Sequence, residues 1–178
     1  LDEAKQSGGR LAYLWGDSWE AGKLTWTQDF AAQFSKYRGY ELTPYLPAIN
    51  GHPVVNAEVP ARFRADLNRT IADCVAVNFY GEFARLCHAN GVQMRSEAAG
   101  PGDNPPIDSL RNLGRCDVPA GEFWVNGHFN APGGYNSSPG LRGNLKQTGS
   151  AAHIYGKTIA QAEAFTQQEA DRTHWSLG

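Results

Sequence analysis

Apolar residues in this chain fall into short runs separated by amphipathic or turn-rich stretches. Four runs carry an acid at or just past their ends: Leu11–Trp15 before Glu20, Val92–Ser96 before Glu97, Gly121–Trp124 around Glu122, and Thr158–Ala162 before Glu163. Their length and composition predict buried strands: Leu11–Trp15, Val92–Glu97, Ile159–Phe165, and a shorter strand or strand end around Glu122. Between them the period changes. Phe63, Leu67, Ile71, Val75, Phe79, Phe83 and Leu86 recur every three or four positions, which predicts one amphipathic helix from about Ala61 to Asn90. Thr25 with Gln28 has the capping-box spacing, and the helix it would open carries Phe30, Phe34 and Tyr37 and stops at Gly39. A short helix is predicted from Ser150 through His153 and Tyr155. Strand and helix alternating at this rhythm mean a parallel α/β sheet.

Three stretches interrupt the pattern and read as long loops. Pro44, Pro47, Pro53 and Pro60 punctuate the first, Ala99–Pro106 forms the second, and Asn126–Gly149 the third, rich in Gly, Asn, Ser and Pro. Long loops within a compact α/β domain usually carry function. The pattern therefore predicts a partial (β/α)8 TIM-type barrel with parallel strands and long βα loops. The 178 residues fall short of the ~250 a complete barrel needs. The chain also begins on Leu1 and ends without a closing element, so residues 1–178 are expected to be part of one catalytic barrel domain truncated at both ends.

Composition narrows the chemistry. A net charge of −2 with scattered Lys and Arg predicts no nucleic-acid surface, and no apolar run approaches the ~20 residues of a membrane span. Three cysteines without a Cys-x-x-Cys pair indicate neither a disulfide framework nor a zinc knuckle. Cys74 and Cys87 fall on the helical stripe as buried thiols. Aromatics at 11%, five of them Trp, suit a sugar-stacking surface as well as a core.

Parallel strands gather their C-terminal ends on one face, so the four acids would meet in one pocket, as acid/base sugar chemistry requires. In Gly16-Asp17-Ser18-Trp19-Glu20, two carboxylates flank an indole, and a carboxyl desolvated by an aromatic ring gains the raised pKa of a general acid. Arg95 beside Glu97 is expected to keep a neighbouring acid ionised, as a base requires; the alternative is a structural Arg–Glu pair. Glu122 with Trp124, and Glu163 between alanines, offer further carboxylates for sugar hydroxyls. His153 reads first as a packing residue, and His52 and His128 lie in loops. Abundant oxygen donors without thiolate pairs favour calcium over zinc for any metal.

Asp17-Ser18-Trp19-Glu20, Trp26-Thr27, Arg38-Gly39-Tyr40, Tyr45-Leu46-Pro47, Glu97-Ala98-Ala99-Gly100, Gly121-Glu122-Phe123-Trp124, Ala152-His153-Ile154-Tyr155-Gly156 and Ala162-Glu163-Ala164-Phe165-Thr166 occur in an order that resembles bacterial α-L-rhamnosidases of glycoside hydrolase family 106. The resemblance runs from about Arg10 to the end. It implies a (β/α) barrel within a larger protein that also carries β-sandwich domains. It further implies inverting hydrolysis of terminal α-L-rhamnose, a calcium ion near the sugar, and a secreted or periplasmic location. The substrate would be a rhamnose-containing oligosaccharide, polysaccharide or glycoside. Carried onto this sequence, Glu20 is the expected general acid and Glu122 the base. Glu97 competes for the base role or serves as a calcium ligand with Asp17. Asp17, Trp19, Trp26, Trp124, His153 and Glu163 are expected to contact substrate. The rival readings are a retaining β-galactosidase-like glycosidase and a non-catalytic carbohydrate-binding segment.

Overall fold

The computed structural model describes residues 2–19, 26–52, 54, 58–98, 107–124 and 139–166. Its frame is a four-stranded sheet in the order β1 (Tyr13–Gly16), β2 (Gln93–Ser96), β3 (Val118–Trp124), β4 (Gln161–Thr166), every neighbour parallel. Sequential parallel neighbours joined through helices are the repeating unit of a (β/α) barrel. Among the described residues the sheet does not close. β1 and β4 are its edges, and Tyr13 and Trp15 of β1 remain about 40% exposed.

The helices are α1 (Asp2–Gln6), α2 (Phe30–Arg38), α3 (Glu58–Cys74), α4 (Glu82–Ala89), α5 (Ser109–Arg115) and α6 (Pro139–Ile154). A 3-10 helix, Thr43–Asn50, precedes α3, and a π-helical segment, Val75–Gly81, links α3 to α4. The long helix predicted over 61–90 is thus this three-part element. Its apolar stripe divides between two cores. Val75, Tyr80, Ala84 and Cys87 pack with Met94, Leu113 and Cys116 behind the sheet. Phe63 joins Phe30, Phe34, Leu42 and Ala48 in a second cluster, braced by the T-shaped Phe34–Tyr40 pair at 5.0 Å. Gly39 ends α2 at φ 80°, a conformation that costs a side-chain-bearing residue strain.

Several expectations are corrected. α2 begins at Phe30, after Asp29, and not near Thr25, which lies outside the described residues. The proline-punctuated loop contains helix, because Pro44 sits at the start of the 3-10 segment, where no N–H is needed. The third loop shrinks most: Pro139–Gly149 is the first part of α6. Its glycines weaken a helix locally, but Thr148, Ala151 and Ala152 are buried where α6 packs on β3 and α5, and packing overrides propensity. The short helix α5, capped by the Asp108 side chain accepting from the Arg111 N–H, was not predicted at all.

Cys87 is buried as expected, Cys74 is only half-buried, Cys116 is buried as well, and none is bonded to another. Burial pushes the Cys116 thiol up to about 12, which leaves it an inert packing group.

Candidate active site

Each strand delivers its acid to the same end of the sheet. Asp17 follows β1 directly, Glu97 follows β2, Glu122 lies in β3 and Glu163 in β4. The register explains their convergence. Trp15 pairs with Arg95, and the Glu97 N–H donates to the Gly16 carbonyl at 3.1 Å. Side chains alternate along a strand, so Trp15 with Asp17 and Arg95 with Glu97 share one face. Glu122 pairs with Glu163 across β3 and β4. Carboxylate oxygens of Asp17, Glu97 and Glu163 come within 4.8 Å of one another.

Glu97 is the centre of this group. It is 1% exposed, and neither of its carboxylate oxygens has a hydrogen-bond partner among the described residues. Desolvation, followed by the charges of Glu122, Asp17 and Glu163, raises its pKa from 4.5 to about 8. The expectation that Arg95 keeps the neighbouring acid ionised is therefore corrected. Arg95 does lower the Glu97 pKa, but burial and three like charges outweigh it. Its guanidinium lies 3.8 Å from the centre of the Trp15 ring, a cation–π stack on the inner face.

Glu20, the expected acid, lies outside the described residues, as do His128 and the Ala99–Pro106 loop. Trp19, one residue earlier, is half-buried; its ring meets Phe79 edge-on at 5.1 Å and Tyr80 at 6.2 Å. Trp124 closes β3 by pairing with Thr166. Two expected substrate contacts fall away from the carboxylates. Trp26 is half-exposed and packs on Phe30 at 5.4 Å, at the edge of the second aromatic cluster. His153 is exposed in the last turn of α6, which leads into the N-terminal end of β4, opposite the acids. Helices of parallel α/β units run back to strand N-termini, so a histidine at that helix end is turned away from the site.

The donor set fits a hard cation. Asp17, Glu97 and Glu163 supply only oxygens, and the two unpartnered Glu97 oxygens are what a bound cation would satisfy. Sequence reasoning missed the π-helical segment and Ser96, whose buried Oγ has no partner among the described residues. A π-helical turn leaves no signature in hydrophobic periodicity, and Ser96 was visible only as a small residue beside Glu97.

The chain is similar to known proteins over most of its length. A family model described as alpha-L-rhamnosidase, Glyco_hydro_106, matches residues 2–175. The solved structure of a rhamnosidase from Novosphingobium sp. PP1Y superposes with a TM-score of 0.77 at 30% identity, covering 90% of this chain and 15% of that one. A Formosa agariphila protein named "Putative beta-glucuronidase" is 37% identical over 153 residues, 84% of this chain and 12% of its own length. The chain thus spans a small part of each relative.

Proposed function

The chain belongs to the α-L-rhamnosidase family Glyco_hydro_106, and we propose that it forms the acid-bearing part of a barrel that hydrolyses terminal α-L-rhamnosides with inversion. The observation that carries this reading is the convergence of Asp17, Glu97, Glu122 and Glu163 at one end of a parallel sheet. Inversion needs one carboxylic acid to protonate the leaving oxygen and one carboxylate, ~6.5–9.5 Å away, to activate water on the opposite face. Glu20, four residues past the end of β1 in sequence, is the proposed acid. Glu122 is the proposed base. The raised pKa of Glu97 disfavours it as the base; as a ligand it would give up that proton, a change the charge of a bound cation would favour.

Asp17, Glu97 and Glu163 are the proposed calcium ligands. Bound there, calcium would neutralise the crowded carboxylates and hold sugar hydroxyls. Asp17 and Glu163 also orient the sugar from the rims of β1 and β4. The remaining strands and β-sandwich domains complete the enzyme, which acts on rhamnose-containing glycans or glycosides in the periplasm or outside the cell. No described helix is long and apolar enough to cross a membrane.

The full-length protein is to be assayed on 4-nitrophenyl α-L-rhamnoside, with product anomers followed by NMR during the first minutes. Initial release of β-L-rhamnose supports the proposal; initial α-L-rhamnose overturns inversion. The relative named for β-glucuronides favours a second reading, a glycosidase of other specificity. Faster cleavage of 4-nitrophenyl β-D-glucuronide than of the rhamnoside would select it.

A further inference from the structure

One side chain beside the acid cluster carries the opposite charge. Arg95 stands two residues before Glu97, and side chains two apart share a face of the sheet. The parallel register sets Trp15 of β1 on one side of it and Val118 of β3 on the other. Trp15 in turn stands two residues before Asp17. The layer one step below the carboxylates is therefore Trp15, Arg95 and Val118, apolar apart from the guanidinium.

Arg95 is held in that layer. Its guanidinium lies 3.8 Å from the centre of the Trp15 ring, which fixes the charge in place. The residue is half-buried, and its Nε is buried without a hydrogen-bond partner among the described residues. Contact with Trp15 alone would be met by an apolar side chain at no desolvation cost, and such replacements for buried charges are often stabilising. A charge kept there points to work done by charge. The opposite charges it meets stand one step above. Among the described charges acting on Glu97, Arg95 alone lowers its pKa, whereas Glu122, Asp17 and Glu163 raise it.

We propose that Arg95 is a positioning residue, the fixed counter-charge of the acid cluster: it holds the carboxylates together when no cation is bound and keeps a bound cation from being held too tightly. It acts through Asp17, Glu97 and Glu163 and touches no substrate. Its action on a cation rests on the calcium reading above; its action on the acids does not. Side chains two residues apart on a strand stand ~7 Å from each other. At that distance a unit charge changes the binding constant of a dication roughly sevenfold even in the dielectric of water, and more in a drier site.

The test uses full-length protein and two variants. Arg95→Met removes the charge and keeps the bulk; Arg95→Lys keeps the charge and loses the planar fork. Arg95→Gln replaces the methionine variant should that one not fold. Calcium is titrated by calorimetry into chelator-stripped protein at one fixed pH, and the double variant Asp17→Asn with Glu163→Gln identifies the heat that belongs to this site. Binding tighter by about fivefold or more in Arg95→Met, and within about twofold of wild type in Arg95→Lys, supports the proposal. A smaller gain or a loss in Arg95→Met overturns it. Equal tightening in Arg95→Lys also overturns it, because the effect would then belong to the stack.

A second readout needs no calcium. In chelator, the denaturant midpoint of the barrel is compared with and without Arg95→Met, in wild type and in the Asp17→Asn, Glu163→Gln background. A counter-charge loses its purpose when the acids are neutral, so the loss in midpoint should at least halve in that background. Losses that differ by less overturn the proposal. If wild type binds no calcium, the calcium reading fails, and this cycle decides the part of Arg95 alone.

Discussion

Two buried acids in this molecule are treated in opposite ways. Asp73 on α3 is held by two guanidinium groups, Arg38 from α2 and Arg111 from α5. Glu97, more deeply buried at the end of β2, faces Asp17, Glu122 and Glu163, and its oxygens have no hydrogen-bond partner among the described residues. The first arrangement ties three helices together. The second costs stability and stores chemistry. The same contrast runs along the sheet. At the N-terminal end of β2 and β3, Asp117 accepts the Met94 N–H at 2.8 Å and pairs with His88 Nε2 at 2.7 Å. Polar groups at strand N-termini of a barrel brace the fold, whereas those at the C-termini do the work.

The sharpest way to break this comparison is to neutralise acids at both ends. In the full-length protein, Glu20→Gln and Glu122→Gln should each lower kcat by ~10²–10⁴ with little change in stability. Full turnover in either variant would remove that residue's role as acid or base. Asp73→Ala should do the reverse. It leaves Arg38 and Arg111 without their shared partner and should cost about 3–5 kcal/mol, read as a lower denaturant midpoint. A loss under about 1 kcal/mol would show that the triad braces nothing.

Glu97→Gln tests the stored cost directly. With its pKa raised from 4.5 to about 8, the folded chain holds a proton that the unfolded chain releases between those values. Stability therefore falls as pH rises through this window. In the presence of a chelator, the glutamine variant should melt higher than wild type at pH 9, by up to a few kcal/mol, and no higher at pH 4. A gain that does not depend on pH would refute this origin. Adding calcium back should stabilise the wild type and erase much of the difference. The smallest effect is expected at the opposite end. Asp117→Asn weakens a half-exposed pair and should cost about 1 kcal/mol without altering kcat.

Legibility divided along similar lines. The strands and the acids at their ends could be read because each run is short, apolar and bounded, and parallel order follows from alternation with helices. The amphipathic stripe of α3 through α4 was equally plain, but its partition into two cores was not. Phe63 and Val75 lie on one stripe in sequence, and only packing assigns Phe63 to the cluster with Phe30 and Phe34 and Val75 to the cluster with Met94, with Ile71 touching both. The first turns of α6 were hidden because glycine and proline there carry a strong loop signal that burial against β3 overrules.

By itself the sequence determined the element types, the parallel sheet and which acids stand at strand ends, because periodicity and residue chemistry are local properties. Tertiary structure alone decided that Glu97 is crowded by like charges and not rescued by Arg95, that Trp26 and His153 stand apart from the acids, and that a π-helical turn sets Phe79 and Tyr80 against Trp19. These depend on register, desolvation and distance between residues far apart in the chain, and no local pattern encodes them.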